Sequence, residues 1–235
     1  MPRKKAPPPE RHPWDFEFKL KYDYSPNTIH SSFVGLTMKK DTRMVFADGP
    51  AGTAKTYLAT YCALSLLKCK AVEEVVYIRS VVESASQKMG SLPGEVEDKF
   101  LPWSMPLVEK LDELIGPASR QHLMEKGLVH CVPVNFVRGL TFHDSVVIVD
   151  EAQNLTTSEL VTILTRFGHN SKFIVVGDTR QCDINSRSGF EPIFNCFNNK
   201  ISERNEIYTF TFGESEIVRS EILKFIVKQL EKIKK

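Results

Sequence analysis

The chain has 235 residues, of which 42% are hydrophobic and 26% charged, a balance that permits a full apolar core and describes an ordinary soluble protein. Thirty-one basic against 29 acidic residues leave a net charge of +2, too small by itself to argue for nucleic acid. Five cysteines, Cys62, Cys69, Cys131, Cys182 and Cys196, form no C-x-x-C pair. This disfavours a disulfide framework or a zinc site and suits free, mostly buried thiols in a reducing cytoplasm. No run reaches the length of a membrane span, and no apolar signal segment follows the N-terminal charges, so a cytoplasmic location is expected.

Met1 to Pro13 carries five prolines and four basic residues and is expected to be a disordered or loosely docked arm. A short helix is predicted near Thr28 to Met38. Arg43 to Thr56, RMVFADGPAGTAKT, is then an apolar run, a loop of small residues and the start of a helical pattern. It reads as a buried strand feeding a phosphate-binding loop. Backbone N–H groups can close on an anion at a helix N-terminus only where small residues let the chain approach. Gly49, Ala51, Gly52, Thr53 and Ala54 supply such a loop. Lys55 stands where a lysine reaches the β and γ phosphates, and Thr56 where a hydroxyl holds Mg²⁺. With Pro50 and Tyr57, the span 49–57 makes up the predicted nucleotide contact. The pattern G-x-x-x-x-G-K-[ST] wants glycine before the lysine, and Ala54 stands there instead. The competing reading is a glycine-containing turn before a helix that happens to carry Lys-Thr.

Lys55 to Cys69 has Leu58, Cys62, Leu66 and Cys69 at helical spacing, and Glu74 to Arg79, EVVYIR, reads as a buried strand. Together they predict a βαβ unit. Ser84 to Gly127 is predicted to be an insertion over the sheet, its short helical pieces punctuated by Pro93, Pro102 and Pro106. Further strands are predicted at Val129–Val137, Val146–Asp150, Lys172–Asp178 and Ile207–Phe212, a helix at Thr157–Phe167, and a long amphipathic helix at Ser215–Ile233. Apolar strands alternating with helices imply a mostly parallel α/β sheet covered on both faces, most simply one domain over 14–235. Ligands bind such sheets beyond the carboxyl ends of the strands. Gly49, Asp150 and Asp178 all fall at strand ends, so their signals converge on one rim.

At that rim Asp150 is the candidate metal carboxylate and Glu151 the group that orients or deprotonates water. Gly177-Asp178-Thr179-Arg180-Gln181 ends the next strand, where Asp178 and Gln181 are placed to meet the γ-phosphate or the lytic water. The six histidines never pair at metal-ligand spacing, and G-x-S-x-G is absent. Trp14, Phe100 and Trp103 suit base stacking but read more simply as buried aromatics. Arg138 is a candidate contact to nucleic acid or to a neighbouring subunit.

GPAGTAKT, MGSLPGEVEDKFLPW, RGLTFHDSVVIVDEAQN, GDTRQCD and EIVRSEI resemble, in order and spacing, the PhoH-like P-loop ATPases, phosphate-starvation-inducible proteins related to superfamily 1 helicases. The resemblance runs from about Asp41 to Lys228 and includes the proline-bearing insertion. It implies a RecA-like P-loop core that binds ATP and Mg²⁺ and hydrolyses ATP, coupled to single-stranded RNA or DNA. Compact copies of this kind are familiar from bacteriophage genomes. Some relatives carry an N-terminal RNase-type domain, for which the residues ahead of this core are too few, so the chain is expected to lack it. Glycine is usual in the family at Ala54, an Arg-Pro pair at Arg79-Ser80, and an adenine-reading glutamine upstream of the loop; no glutamine occurs between Met1 and Gly49. Helicases take a charge-stabilising arginine from a second core domain. Here Arg219, or failing that Arg187, is expected to act on a neighbouring subunit of a homo-oligomeric ring, such as a hexamer. The alternatives are a slow-turnover, nucleotide-dependent binding module and a small-molecule kinase. The kinase is disfavoured because the DEAQ and GDTRQ motifs position water rather than an acceptor hydroxyl.

Overall fold

The computed structural model describes residues 17–21, 28–80, 96–181, 188–218 and 229, with helix backbone alone over 96–103. The N-terminal arm, Trp14, the side chains of Phe100 and Trp103, Arg187, Arg219 and most of the expected C-terminal helix lie outside the described residues.

Six strands form one parallel sheet: β1 (Met44–Asp48), β2 (Glu74–Arg79), β3 (Val129–Cys131), β4 (Ser145–Asp150), β5 (Lys172–Gly177) and β6 (Ile207–Thr211), in the order β3-β2-β4-β5-β1-β6. The four central strands are continuous apolar runs because both faces are covered, as parallel sheets require. Side chains alternate between two cores. Val45, Tyr77, Ile148 and Ile174 face a cluster built with α1 (Ile29–Met38), α2 (Lys55–Lys68), α3 (Val96–Ile115) and α4 (Pro117–Glu125). Phe46, Val76, Val147 and Val175 face a second cluster with α5 (Thr157–Leu164) and α6 (Phe190–Phe197). A short α7 (Lys200–Arg204) precedes β6. The architecture is the α/β RecA-like P-loop fold. No helix among the described residues is long and apolar enough to cross a membrane.

β1 and β2 are parallel but not neighbours, since β5 and β4 lie between them, so the predicted βαβ unit spans the sheet rather than pairing its own strands. β1 pairs with β5 and β6, so the loop after β1 sits where chain connections leave in both directions, a crevice typical of ligand sites. Register fixes the rim. Asp48 is level with Gly177 and with Thr211, and Arg79 is level with Asp150.

Several expectations need correction. The strand predicted over Val129–Val137 ends at Cys131, because Pro133 has no N–H for a ladder and opens a 3-10 turn at Val134–Phe136. Pro102 and Pro106 do not break the insertion into pieces; both lie within the 20-residue α3. Leu107, Leu111 and Leu114, fully buried at helical spacing, hold that helix against the sheet-covering core in spite of the lost backbone bonds. The helix expected to reach Phe167 stops at Leu164, with Thr165 as C-cap, and Phe167 instead bridges to Phe142. Ser215 and Glu216 belong to a 3-10 turn rather than to the start of a long helix. Two short helices, α6 and α7, are not predicted at all. Cys69 caps α2 instead of joining its buried face, and the thiols are not mostly buried: among the described cysteines Cys62 alone is, while Cys69 and Cys196 are exposed at helix ends and Cys131 is half-buried on an edge strand.

Candidate nucleotide site

A cavity of about 430 Å³ opens over the carboxyl ends of β1, β4 and β5. The loop that follows β1 is shaped by backbone requirements more than by its glycine count. Gly49 is needed for packing: a Cβ there would come within 2.7 Å of the Phe212 Cβ, just beyond β6. Gly52 (φ 88°) and Ala54 (φ 62°, ψ 21°) both take the left-handed conformation, so the position where glycine is usual has glycine geometry but carries a methyl group. Thr53 is fully buried, and its hydroxyl donates to the Pro50 carbonyl at 2.9 Å. Gly49, Pro50 and Thr53 thus brace the loop, while Ala51, Gly52, Ala54, Lys55, Thr56 and Tyr57 line the cavity.

Lys55 opens α2, and its ammonium donates to the carbonyls of Gly49 (2.5 Å) and Pro50 (2.9 Å). Burial lowers its pKa below the usual lysine value, against the opposing pull of Asp178, Glu151, Asp48 and Asp150. The Thr56 hydroxyl donates to Asp150 Oδ1 at 2.8 Å. Asp150, 3% exposed, receives a second donor at its other oxygen: Tyr77 OH, from the adjacent strand, lies 2.5 Å from Oδ2. Tyr77 is fully buried, and burial together with the Asp150 charge raises its phenol pKa, keeping it a neutral donor. Periodicity shows Tyr77 only as a strand residue. Its role depends on β2 pairing with β4, which no local pattern displays.

Glu151 turns out of β4 with φ 52° and opens a 3-10 turn at Ala152–Asn154. Its carboxylate accepts from Gln153 Nε2 at 2.5 Å and lies 4.0 Å from Arg79 Nη2. Burial first, and then the neighbouring Asp150, raise its pKa. The Gln153 side chain also accepts the Asp178 N–H at 3.1 Å, so one amide joins the ends of β4 and β5. Asp178 Oδ1 accepts the Arg180 N–H at 3.0 Å; Oδ2 is buried and has no hydrogen-bond partner among the described residues. Burial raises the Asp178 pKa. Asp48, at the end of β1, accepts from the Thr179 N–H (2.8 Å) and hydroxyl (3.0 Å), which fixes the GDTRQ turn to the loop. Gly177 is again a packing requirement: a Cβ would meet the Phe190 ring at 2.6 Å.

Lys55, Thr56, Asp150, Glu151, Asp178 and Gln181 therefore line one cavity. Arg219 lies outside the described residues, but Val218 just before it donates its N–H to the Gly52 carbonyl at 2.9 Å. Val218 also lines the cavity, as do Gln153 and two residues of α3, Lys110 and Glu113. Sequence reading misses these last two, because nothing in a helix of the insertion shows that it faces the loop. Among the described residues no group of three or more His, Cys, Asp or Glu is placed to hold a metal ion. The Thr56 hydroxyl beside the Asp150 carboxylate is nonetheless a hard-oxygen pair of the kind that suits Mg²⁺, which keeps most of its shell as water and phosphate oxygens.

A family model described as PhoH-like protein matches residues 26–231. The PhoH-like protein of Bacillus subtilis (strain 168) is 40% identical over 145 residues, 62% of this chain and 45% of that protein. The PhoH-like protein of Mycobacterium leprae (strain TN) is 34% identical over 186 residues, 78% of this chain and 52% of the relative. Protein PhoH of Escherichia coli (strain K12) is 35% identical over 182 residues, 76% and 50% of the two chains. The chain spans about half the length of the curated relatives it matches. With a loop, a carboxylate pair and a GDTRQ turn gathered on one rim, and a family match over most of its length, the chain belongs to the PhoH-like protein family.

Proposed function

We propose that the protein binds ATP with Mg²⁺ at this rim and hydrolyses it, and that hydrolysis is coupled to binding or remodelling of single-stranded RNA or DNA. The observation that carries the reading is the Lys55–Thr56–Asp150 arrangement facing Glu151 and Gln181 across one cavity. In it the loop and Lys55 hold the phosphates, and Thr56 with Asp150 would hold Mg²⁺. Mg²⁺ when bound supplies charge neutralisation on the phosphate oxygens. Glu151 orients water and accepts its proton, a task favoured by its raised pKa. Gln181 and Asp178 stand on the next strand end, where a change at the terminal phosphate reaches the GDTRQ turn and, through Gln153, the end of β4.

The nucleic-acid side of the proposal rests on the segment after β3. Val134 and Val137 anchor it in the core, while Phe136 is 65% exposed and Arg138 is exposed next to Gly139 in the left-handed conformation. An exposed aromatic with an exposed arginine two residues on suits stacking on unpaired bases and attraction to their phosphates. A ring in which a neighbouring subunit presents Arg219 is the assembly this reading expects, and mass measurement with and without nucleotide tests it. Among the described residues Cys62, Cys69, Cys131 and Cys196 are free thiols, which accords with a reducing cytoplasm.

The test is phosphate release from Mg-ATP, with and without single-stranded RNA, by wild type and Glu151→Gln. RNA-stimulated release that the substitution abolishes supports the proposal. A second reading, a nucleotide-dependent binding module with slow turnover, draws on the Glu151 carboxylate being held by Gln153. ATP binding by wild type with negligible release, with or without RNA, selects it.

A further inference from the structure

The charges lining the nucleotide cavity are unbalanced. Glu113, Asp150, Glu151 and Asp178 bring four carboxylates, and only Lys55 and Lys110 are cationic among the described lining residues. A phosphoryl group leaving its donor spreads negative charge over three oxygens and needs positive charge aimed at them. Lys55 meets the phosphates from the loop side of the cavity, where it rests on the Gly49 and Pro50 carbonyls. Lys110 comes from elsewhere, the middle of α3.

The fold says which end of the cavity Lys110 occupies. α3 packs beside α2 and against α4, and α4 in turn meets β3 at the edge of the sheet. Val218 lies on the opposite side, bonded to Gly52 just after β6. The cavity thus runs from Val218, across the loop, past the Thr56–Asp150 pair to Lys110. Thr56, Asp150 and Glu151 mark the terminal-phosphate end, and Lys110 stands on that side. Its ammonium pairs with Glu113 one helical turn away at 2.9 Å, with side-chain exposures of 33% and 54%. A pair this open is screened and weakly held, so the ammonium exchanges readily from the carboxylate to a phosphate.

We propose that Lys110 is a catalytic residue that contacts the terminal phosphoryl group of the bound nucleoside triphosphate from within the same chain, with Glu113 as its resting partner. This rests on the nucleotide reading above. It gives the site a cation in cis, whatever a neighbouring subunit adds. Lys110 is half-exposed and its neighbours Leu107 and Leu111 carry the packing of α3, so its truncation leaves the fold in place.

The test is calorimetric binding of Mg-ADP and of a non-hydrolysable Mg-ATP analogue to the full chain, for wild type, Lys110→Ala, Lys110→Arg and Glu113→Gln. Lys110→Ala is expected to weaken the triphosphate analogue about tenfold, the size of one charge-assisted contact, and leave ADP within about twofold. Lys110→Arg should restore most of the difference, and Glu113→Gln should leave or strengthen analogue binding. Equal weakening of both nucleotides, or of neither, overturns the assignment while leaving nucleotide binding intact. Wild type that binds neither nucleotide overturns the nucleotide reading and this proposal together.

Discussion

Ala54 shows how much a single methyl group can decide. Its φ of 62° places it in the left-handed region, where a Cβ costs about 1–2 kcal/mol relative to glycine. Part of that returns in the unfolded chain, because glycine has more conformations to lose, about 0.4–1 kcal/mol. Ala54→Gly should therefore stabilise the protein by about 1 kcal/mol or less, raising the melting temperature by roughly 1–3 °C. It should also preserve or raise phosphate release, since the backbone conformation is already the one glycine prefers and the methyl no longer stands at the phosphate loop. Calorimetric melting and turnover measured side by side decide this. Loss of turnover on adding glycine would mean that the methyl group itself, which packs against the α1–α4 core cluster, holds the loop open. The substitution of alanine for glycine is legible in the sequence; that the strain sits in φ is visible only in the structure.

At the level of elements, what could be read in advance was what repeats locally. β2 matches its predicted bounds, and β1, β4 and β5 were marked by unbroken apolar runs. The rim acids were legible because each ends such a run. What stayed hidden were relations between elements. The Tyr77–Asp150 bond requires the β2–β4 register, the Asp48–Thr179 clamp requires β1 beside β5, and the Lys110 position requires α3 to fold back over α2. α3 defeated the proline rule because the apolar spacing of Leu107, Leu111 and Leu114 outweighs two missing backbone bonds. The segment after β3 departs in the other direction: its apolar residues suggest a strand, and Pro133 ends one. A strand pattern gives no sign of Phe136 or of its exposure. Phe136→Ala should weaken single-stranded RNA binding by roughly tenfold or more, a stacking contribution of about 1–3 kcal/mol. Fluorescence anisotropy with a labelled oligonucleotide reads it directly, and unchanged RNA affinity would remove this segment from the interface.

Across the whole molecule the sheet separates function from stability. The carboxyl rim gathers the charged machinery, whereas the opposite edge holds one buried cation with a structural task. Lys172 opens β5, is 7% exposed, and donates to the carbonyls of Thr37 and Lys39 at 2.6 and 2.7 Å, tying the end of α1 to the sheet. Burial lowers its pKa from 10.5 to about 8, against the opposing effects of Cys62 and Asp41. A neutral amine keeps two N–H donors, one for each carbonyl, so deprotonation leaves the tie in place. Between pH 8 and 10.5 the unfolded chain holds a proton at this lysine that the native protein has released. The Lys172 contribution to stability therefore rises with pH across that window, and the cost of burying the charge is fully present only below it. The whole span amounts to at most about 3 kcal/mol. Cys62, alongside, is pushed up to about 12, so within the window its thiol ionises only in the unfolded chain; this lowers stability as pH rises and is common to the two proteins compared below. Urea unfolding at steps from pH 7 to 10.5 should show wild type gaining stability relative to Lys172→Met, in which the group cannot titrate. Parallel curves for the two proteins would show that Lys172 stays charged in the fold, its two carbonyl partners outweighing its burial.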